Sequence, residues 1–178
     1  MEQETYSVGL DIGTTKIVAI IGKENEFGKV EVVGIGKAKS LGVHRGVVNN
    51  ITQTVQSIQA AVEEAESVSG VAISEVVAGI AGQHIRSLQT SDYITREAPE
   101  EVISEGDLKR LEQQVKKLQM LPGEEIIHVL PQEYKVDTQS EIKEPIGMYG
   151  NRLEAKFHVV VGQVASIKNI HRCIVSAN

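Results

Sequence analysis

Five residues near the amino terminus have the types and spacing to bind a phosphate. They are Asp11, Gly13, Thr14, Thr15 and Lys16, within Gly9-Leu10-Asp11-Ile12-Gly13-Thr14-Thr15-Lys16. A Gly-Thr-Thr turn presents small residues and backbone N–H groups, a concavity that can hold an anion without a helix dipole. Gly13 permits close approach of a phosphate to the backbone. Thr14 and Thr15 add hydroxyl donors, and Lys16 can supply a point charge. Asp11 ends the preceding strand, beside the same turn. A carboxylate there would not bind phosphate directly, but it could orient a hydrated Mg2+ that phosphate shares. A nucleotide loop of the GxxxxGK(S/T) type is absent, and a dinucleotide-binding turn is excluded because a strand, not a helix, follows. On chemistry alone, an ordinary hairpin with permissive turn residues accounts for the segment equally well.

Other candidates are weaker. His44-Arg45-Gly46 is basic and glycine-flanked, so it could meet phosphate or an acidic partner, though a plain loop explains it more simply. His84, His128, His158 and His171 lack metal-ligand spacing, and no Cys/Asp cluster lies near them. Cys173, the single cysteine, falls in an apolar helical pattern and excludes any disulfide within the chain. Glu63 and Glu64 fall off the apolar stripe of a helix and read as solvent-facing. No general base or Ser/His/Asp arrangement emerges from spacing.

The elements that must position the turn are legible. Residues 6–12 and the run IVAIIG, both rich in β-branched residues, read as strands joined by the turn. VEVVGIG at 30–36 reads as a third strand, giving an antiparallel meander. Residues 37–48 read as an irregular connection ending in a short extended piece. A helix over 50–69 follows from Ile51, Val55, Ile58, Val62, Ala65 and Val68, spaced 4, 3, 4, 3 and 3, with Asn49 or Asn50 as its cap and Gly70 as its stop. A fourth strand is predicted at 76–80. Three meandering strands, a helix and another strand make an α/β layer.

The texture becomes more polar near Gln83. Residues 84–98 read as one or two weak strands. Ser104 and Asp107 suit the start of a helix over 105–119 carrying Leu108, Leu111, Val115 and Leu118. Separate strands are predicted at 125–130, 132–137 and 154–161, with a polar loop before the last, and a closing helix at 163–175. Residues 84–162 thus form a helix-on-sheet unit of their own. Periodicity leaves open which unit takes the last helix.

Composition bounds the rest. With 178 residues the chain can bury a core without staples. Two Phe, four Tyr and no Trp leave the core to Ile, Val and Leu. A net charge of -6 and no basic stripe argue against nucleic acid as a partner. The basic stretch Lys109–Lys117 is interrupted by Glu112 and reads as the wet face of a helix. The amino terminus has no signal-peptide pattern and no run approaches a membrane span, so cytoplasmic residence is expected.

The segment Val8–Lys16 resembles the first phosphate loop of the actin, Hsp70 and sugar-kinase superfamily. Further segments narrow the resemblance to the FtsA family of bacterial cell-division proteins. They are Val32-Val33-Gly34-Ile35-Gly36 with Gly42–Val48, Ala81-Gly82-Gln83-His84-Ile85 (where relatives usually have Ser-Gly-x-His-Ile), His128–Tyr134, and Pro145–Gly150 leading to Leu153–Lys156. The resemblance covers nearly the whole chain. It implies an α/β (α+β) fold with an actin-like, ribonuclease H-like mixed sheet and an inserted small SHS2-type subdomain. Subdomain 1A would comprise 1–83 and, after the insert, 163–178; subdomain 1C would be 84–162.

The resemblance also implies a function. Members bind ATP with Mg2+, show weak or variable ATPase activity, form protofilaments, tether the FtsZ ring to the inner face of the cytoplasmic membrane at the septum, and recruit later division proteins. Gly13, Thr14, Thr15 and Lys16 would contact phosphates, and Asp11 would hold Mg2+ through water. Residues 84–162 would contact neighbouring protomers and late division proteins. FtsZ would bind through subdomain 2B and the membrane through a carboxy-terminal helix, both outside this sequence, as are the second phosphate loop and the adenosine pocket. The chain therefore reads as an amino-terminal piece, expected to bind ATP weakly or not at all, to lack catalysis, and to self-associate. Two rival readings stand beside this one, another ATPase of the superfamily and a pure scaffold module without nucleotide turnover.

Overall fold

The computed structural model describes residues 5–177. Expectations for residues 1–4 and Asn178 lie outside the described residues. The chain divides into two compact units: one runs to His84 and resumes at Ala165, and the other is Ile85–Val164.

The first unit holds β1 (Tyr6–Ile12), β2 (Lys16–Glu24), β3 (Val30–Lys39), the short pair β4 (Val43–His44) and β5 (Val47–Val48), α1 (Ile51–Ser69) and β6 (Val77–Gly79). Its main sheet has the order β3-β2-β1-β6. The first three strands form the expected meander, with Ile12 opposite Ile17 at the turn end of the hairpin. β6 joins β1 in parallel, with Asp11 opposite Gly79. That register brings the segment after β6 to the same end of the sheet as the turn after β1.

Alternation decides which side chains are buried. Val8, Leu10, Ile17, Ala19 and Ile21 enter the core, while Ile20 and Ile35, paired across β2 and β3, stay 40% exposed on the opposite face. The apolar run of β2 is therefore buried on one side only.

Helix α1 begins at Asn50, whose side chain accepts from the Gln53 N–H at 3.0 Å. It ends at Gly70, left-handed at φ 69, whose N–H donates to the Glu66 carbonyl at 2.8 Å. Its buried face is Thr54, Ser57, Ile58, Ala61 and Ala65, and Val68 is 64% exposed. The apolar spacing predicts a stripe through Val68, which does lie on the face of Ala61 and Ala65 but in the last turn of the helix, where it is left exposed. A side chain at Gly36 would collide with the Ala61 carbonyl, so helix and strand approach where both lack bulk. The buried hydroxyls of Thr54 and Ser57 donate to the carbonyls of Asn50 and Gln53 at 2.8 and 3.0 Å. Glu64, expected to be merely solvated, accepts the Lys37 N–H of edge strand β3 at 2.5 Å.

The second unit contains β7 (Ile85–Thr95), α2 (Glu105–Val115), β8 (Glu124–Val136), β9 (Gln139–Ile142) and β10 (Arg152–Gln163), in the sheet order β7-β10-β8-β9. The weakly patterned 84–98 region forms one eleven-residue strand because β10 supplies a complete ladder from Arg152 to Gly162. The two strands predicted at 125–130 and 132–137 are one. Its pairing with β10 shifts between Lys156 and Phe157 and between Val160 and Val161, so Gln132 and Ile127 bulge out and the strand continues past Pro131. The polar loop at 138–152 contains β9, paired with β8. Helix α2 stops at Val115, and Leu118 lies in the following turn, 39% exposed. Leu111, Val115, Leu153, Phe157, Val159 and Val161 form the centre of this core. Finally α3 (Val164–Val175) returns to the first unit, burying Ile170 and Cys173.

One buried cation organises the loops of the second unit. Arg96 donates to the carbonyls of Glu101, Gly150 and Val102, each at 2.9 Å, and faces Asp107 at 3.4 Å. The Asp107 carboxylate also accepts the Ser104 N–H at 3.0 Å, the start predicted for α2. Burial alone would push the Asp107 carboxyl up, but the Ser104 hydrogen bonds and the Arg96 charge outweigh it and hold the carboxyl below its ordinary value. A depressed folded value contributes stability that is present above the unfolded carboxyl range, near about pH 4, and is lost as pH falls through the folded value. The second unit should therefore weaken below about pH 4. In denaturant titrations followed by its own amide signals, Asp107→Asn should flatten that acid limb.

Candidate functional site

The turn Gly13-Thr14-Thr15 is closed by the Gly13 N–H donating to the Lys16 carbonyl at 3.1 Å. A Cβ on Gly13 would lie 2.8 Å from that carbonyl oxygen, so only glycine closes the turn this tightly. The same position is 3.9 Å from Asp11 Oδ2, which sets the carboxylate beside the turn. The backbone N–H groups of Thr14 and Thr15 have no intramolecular partner among the described residues. Thr14, Thr15, Lys16 and Asp11 are all exposed.

Two neighbouring segments brace the turn. The Ser40 N–H donates to the Thr15 carbonyl at 3.1 Å. The Gly46 N–H donates to the Thr14 hydroxyl oxygen at 3.3 Å, which leaves the hydroxyl proton free for another acceptor. Gly46 belongs to the Arg45-Gly46 tip between β4 and β5. Both residues have positive φ, 48 and 77, as a two-residue hairpin turn of this hand requires. A side chain at Gly46 would collide with the Ala81 carbonyl, so the tip rests on the segment after β6. The 37–48 region, read as irregular from sequence, thus supplies a strand end and a hairpin tip to the turn.

Chemically the assembly offers two free amides, two hydroxyls and a lysine, with Arg45 on the adjoining tip. Neither Lys16 nor Arg45 has a carboxylate partner among the described residues. Exposed unpaired cations beside free amides are the groups that an anion-binding surface requires. It is an open surface: a cleft of about 570 Å3 in the first unit, lined by residues including Leu10, Ile58, Val62, Ile170 and Ile174, does not include the turn.

The remaining candidates separate. No group of three or more His, Cys, Asp or Glu is arranged to hold a metal among the described residues. His44 and His128 are exposed and His158 is half-buried on β10. Cys173 is buried, and burial pushes its thiol up, away from reactivity. His84 is different. It is only 4% exposed, and neither ring nitrogen has a hydrogen-bond partner. Burial pushes its pKa down, which favours the neutral ring. Spacing could not single it out, because its burial beside the Arg45-Gly46 tip arises only on folding.

Residues 82–161 match the family model described as the SHS2 domain inserted in FTSA. Over 167 residues, 94% of this chain, the sequence is 42% identical to the cell division protein FtsA of Pseudomonas aeruginosa. The FtsA of Neisseria meningitidis is 38% identical over 173 residues, and that of Escherichia coli K12 is 34% identical over 167. The chain matches FtsA proteins along nearly its whole length and carries the SHS2 domain inserted in that family. Its fold is accordingly an actin-like, ribonuclease H-like mixed sheet with an SHS2-type insert. The chain spans about 40% of the length of these FtsA relatives. Among solved structures it is similar to one described as the PilM-PilN type IV pilus biogenesis complex, with a TM-score of 0.66 over 98% of this chain and 45% of that one. At 12% identity that likeness concerns the fold alone. Among the described residues, no helix is long and apolar enough to cross a membrane.

Proposed function

We propose that the Gly13–Lys16 turn is the first phosphate loop of an ATP-binding FtsA. The observation that carries this reading is the pair of unpartnered amides at Thr14 and Thr15, set between an exposed lysine and an exposed carboxylate. The amides and both threonine hydroxyls donate to phosphate oxygens. Lys16 supplies a positive charge, and Asp11 orients the water shell of Mg2+. The site fits such an ion, because Asp11 belongs to no group of three or more metal ligands among the described residues, which suits a cation that keeps its waters and takes its other oxygens from phosphate. When bound, Mg2+ neutralises phosphate charge.

In this reading residues 1–83 and 163–178 are subdomain 1A, and 84–162 are subdomain 1C. The whole protein works at the inner face of the cytoplasmic membrane, where it anchors the FtsZ ring and, through 84–162, meets neighbouring protomers and later division proteins. The identity to FtsA relatives along nearly the entire chain supports these assignments.

The chain alone offers an open turn, without the burial that tight ligand sites require. Its calorimetric titration with Mg-ATP should show affinity weaker than micromolar. Amide shifts at millimolar Mg-ATP should concentrate at residues 13–16, and Lys16→Ala should weaken that binding about tenfold, as loss of a charged phosphate contact does. Equal shifts across both units, or a Lys16→Ala curve matching the wild type, would contradict the assignment.

A further inference from the structure

His84 is a buried polar group without a partner, and such groups are costly unless something uses them. Its position indicates the use. His84 Cε1, the carbon between the two ring nitrogens, lies 3.1 Å from the point where a Cβ on Gly82 would stand. The polar edge of the ring is therefore turned toward Gly82. The same point is 3.0 Å from the Arg45 carbonyl oxygen and 3.1 Å from Gly46 Cα. The Arg45 carbonyl accepts no hydrogen bond among the described residues. An unpaired ring and an unpaired carbonyl thus both border the space that a side chain at position 82 would fill. Glycine at position 82 keeps the gap open.

The other side of that tip leads to the phosphate turn. Arg45 holds a positive φ that suits asparagine or glycine better than arginine. The next residue's N–H reaches the Thr14 hydroxyl oxygen by a bond of 3.3 Å, long for its type. Slack at the tip is slack in Thr14.

We infer that His84 is a positioning residue for the phosphate turn: directly or through one ordered water, its ring N–H binds the Arg45 carbonyl and fixes the Arg45-Gly46 tip, so that the Gly46 amide holds the Thr14 hydroxyl toward a bound phosphate. The inference rests on the phosphate-binding reading of the turn. A neutral ring serves it, since one nitrogen then carries the donated proton and the other remains an acceptor.

The test is titration of the 178-residue chain with Mg-tripolyphosphate, read by amide shifts at Thr14, Thr15 and Gly46. His84→Leu, which keeps bulk and removes both nitrogens, should weaken binding about tenfold, the loss of roughly one hydrogen bond to an ordered site. It should also speed hydrogen exchange at the Gly46 amide, while β1 and β2 amides keep their wild-type protection. His84→Asn, which restores a donor, should recover most of the affinity. Should His84→Leu disturb the fold, the wild-type ring decides the matter: its N–H resonance should move on saturation with tripolyphosphate. Wild-type affinity in His84→Leu with unchanged Gly46 exchange, or a wild-type ring signal that stays put, overturns the inference and leaves the phosphate turn standing. No ligand shift at Thr14 and Thr15 in the wild type would overturn both.

Discussion

Arg96→Met should destabilise the second unit by about 3–5 kcal/mol, the cost of breaking a buried charged cluster by removing one partner. The guanidinium is almost fully enclosed and serves three carbonyls on two loops as well as the Asp107 carboxylate. Methionine fills much of the volume but returns none of the donors. The carbonyls of Glu101, Val102 and Gly150 lose their partner, and Asp107 loses its counter-charge. The segments leading into α2 and β10 should loosen together, since both end on this side chain. Urea unfolding followed by amide signals of residues 85–164 would measure the loss. A change within about 0.5 kcal/mol, the range of an ordinary surface substitution, would show that the cluster is not a structural centre. Lysine should rescue little, because one ammonium cannot reproduce the fork of donors.

Gly36→Val should cost the first unit about 3 kcal/mol or more, at the upper end for overpacking. The position where its Cβ would stand is already taken by the Ala61 carbonyl, and 2.5 Å away lies the Ala65 amide nitrogen. Neither is a flexible side-chain end. The helix must lift from β3 or the strand must bend, and either move opens the core under Ile58, Ala61 and Ala65. The contrasting substitution is Gly9→Ala, whose added Cβ meets nothing within 4 Å, so it should stay near wild-type stability. Thermal unfolding of the pair tests whether close helix-strand contact, rather than glycine as such, is what the unit needs.

Much of this was readable from the chain, and the misses share a cause. The hairpin, the cap at Asn50 and the stop at Gly70 follow from local pattern, because strand alternation, side-chain capping and left-handed backbone are local matters. The SHS2 insert is legible because its motifs keep their order. What failed depended on distant partners. Residues 84–98 look weak because a strand buried on one face, with only Ile94 fully enclosed, carries a polar pattern. Pro131 makes the continuous β8 read as two strands, since the bulge that accommodates it exists only against β10. Val68 shares the face of Ala61 and Ala65 but lies in the last turn of α1, where it is left exposed, and spacing cannot show where the cover ends. At the candidate site, residues 11–16 and His44-Arg45-Gly46 stand out by type, whereas the bracing of the turn by the Gly46 amide and the burial of His84 depend on segments that meet only in the folded chain.

The central claim is that the Gly13–Lys16 turn binds phosphate through its own backbone. The most direct measurement is the amide spectrum of the 178-residue chain during addition of Mg-tripolyphosphate, with sulfate at matched ionic strength as the control. The account predicts saturable shifts largest at Thr14 and Thr15, whose N–H groups are free to donate, with Asp11→Asn reducing the Mg2+-dependent part. Spectra in which those two amides respond no more than exposed amides elsewhere, or respond to sulfate as strongly, would contradict it.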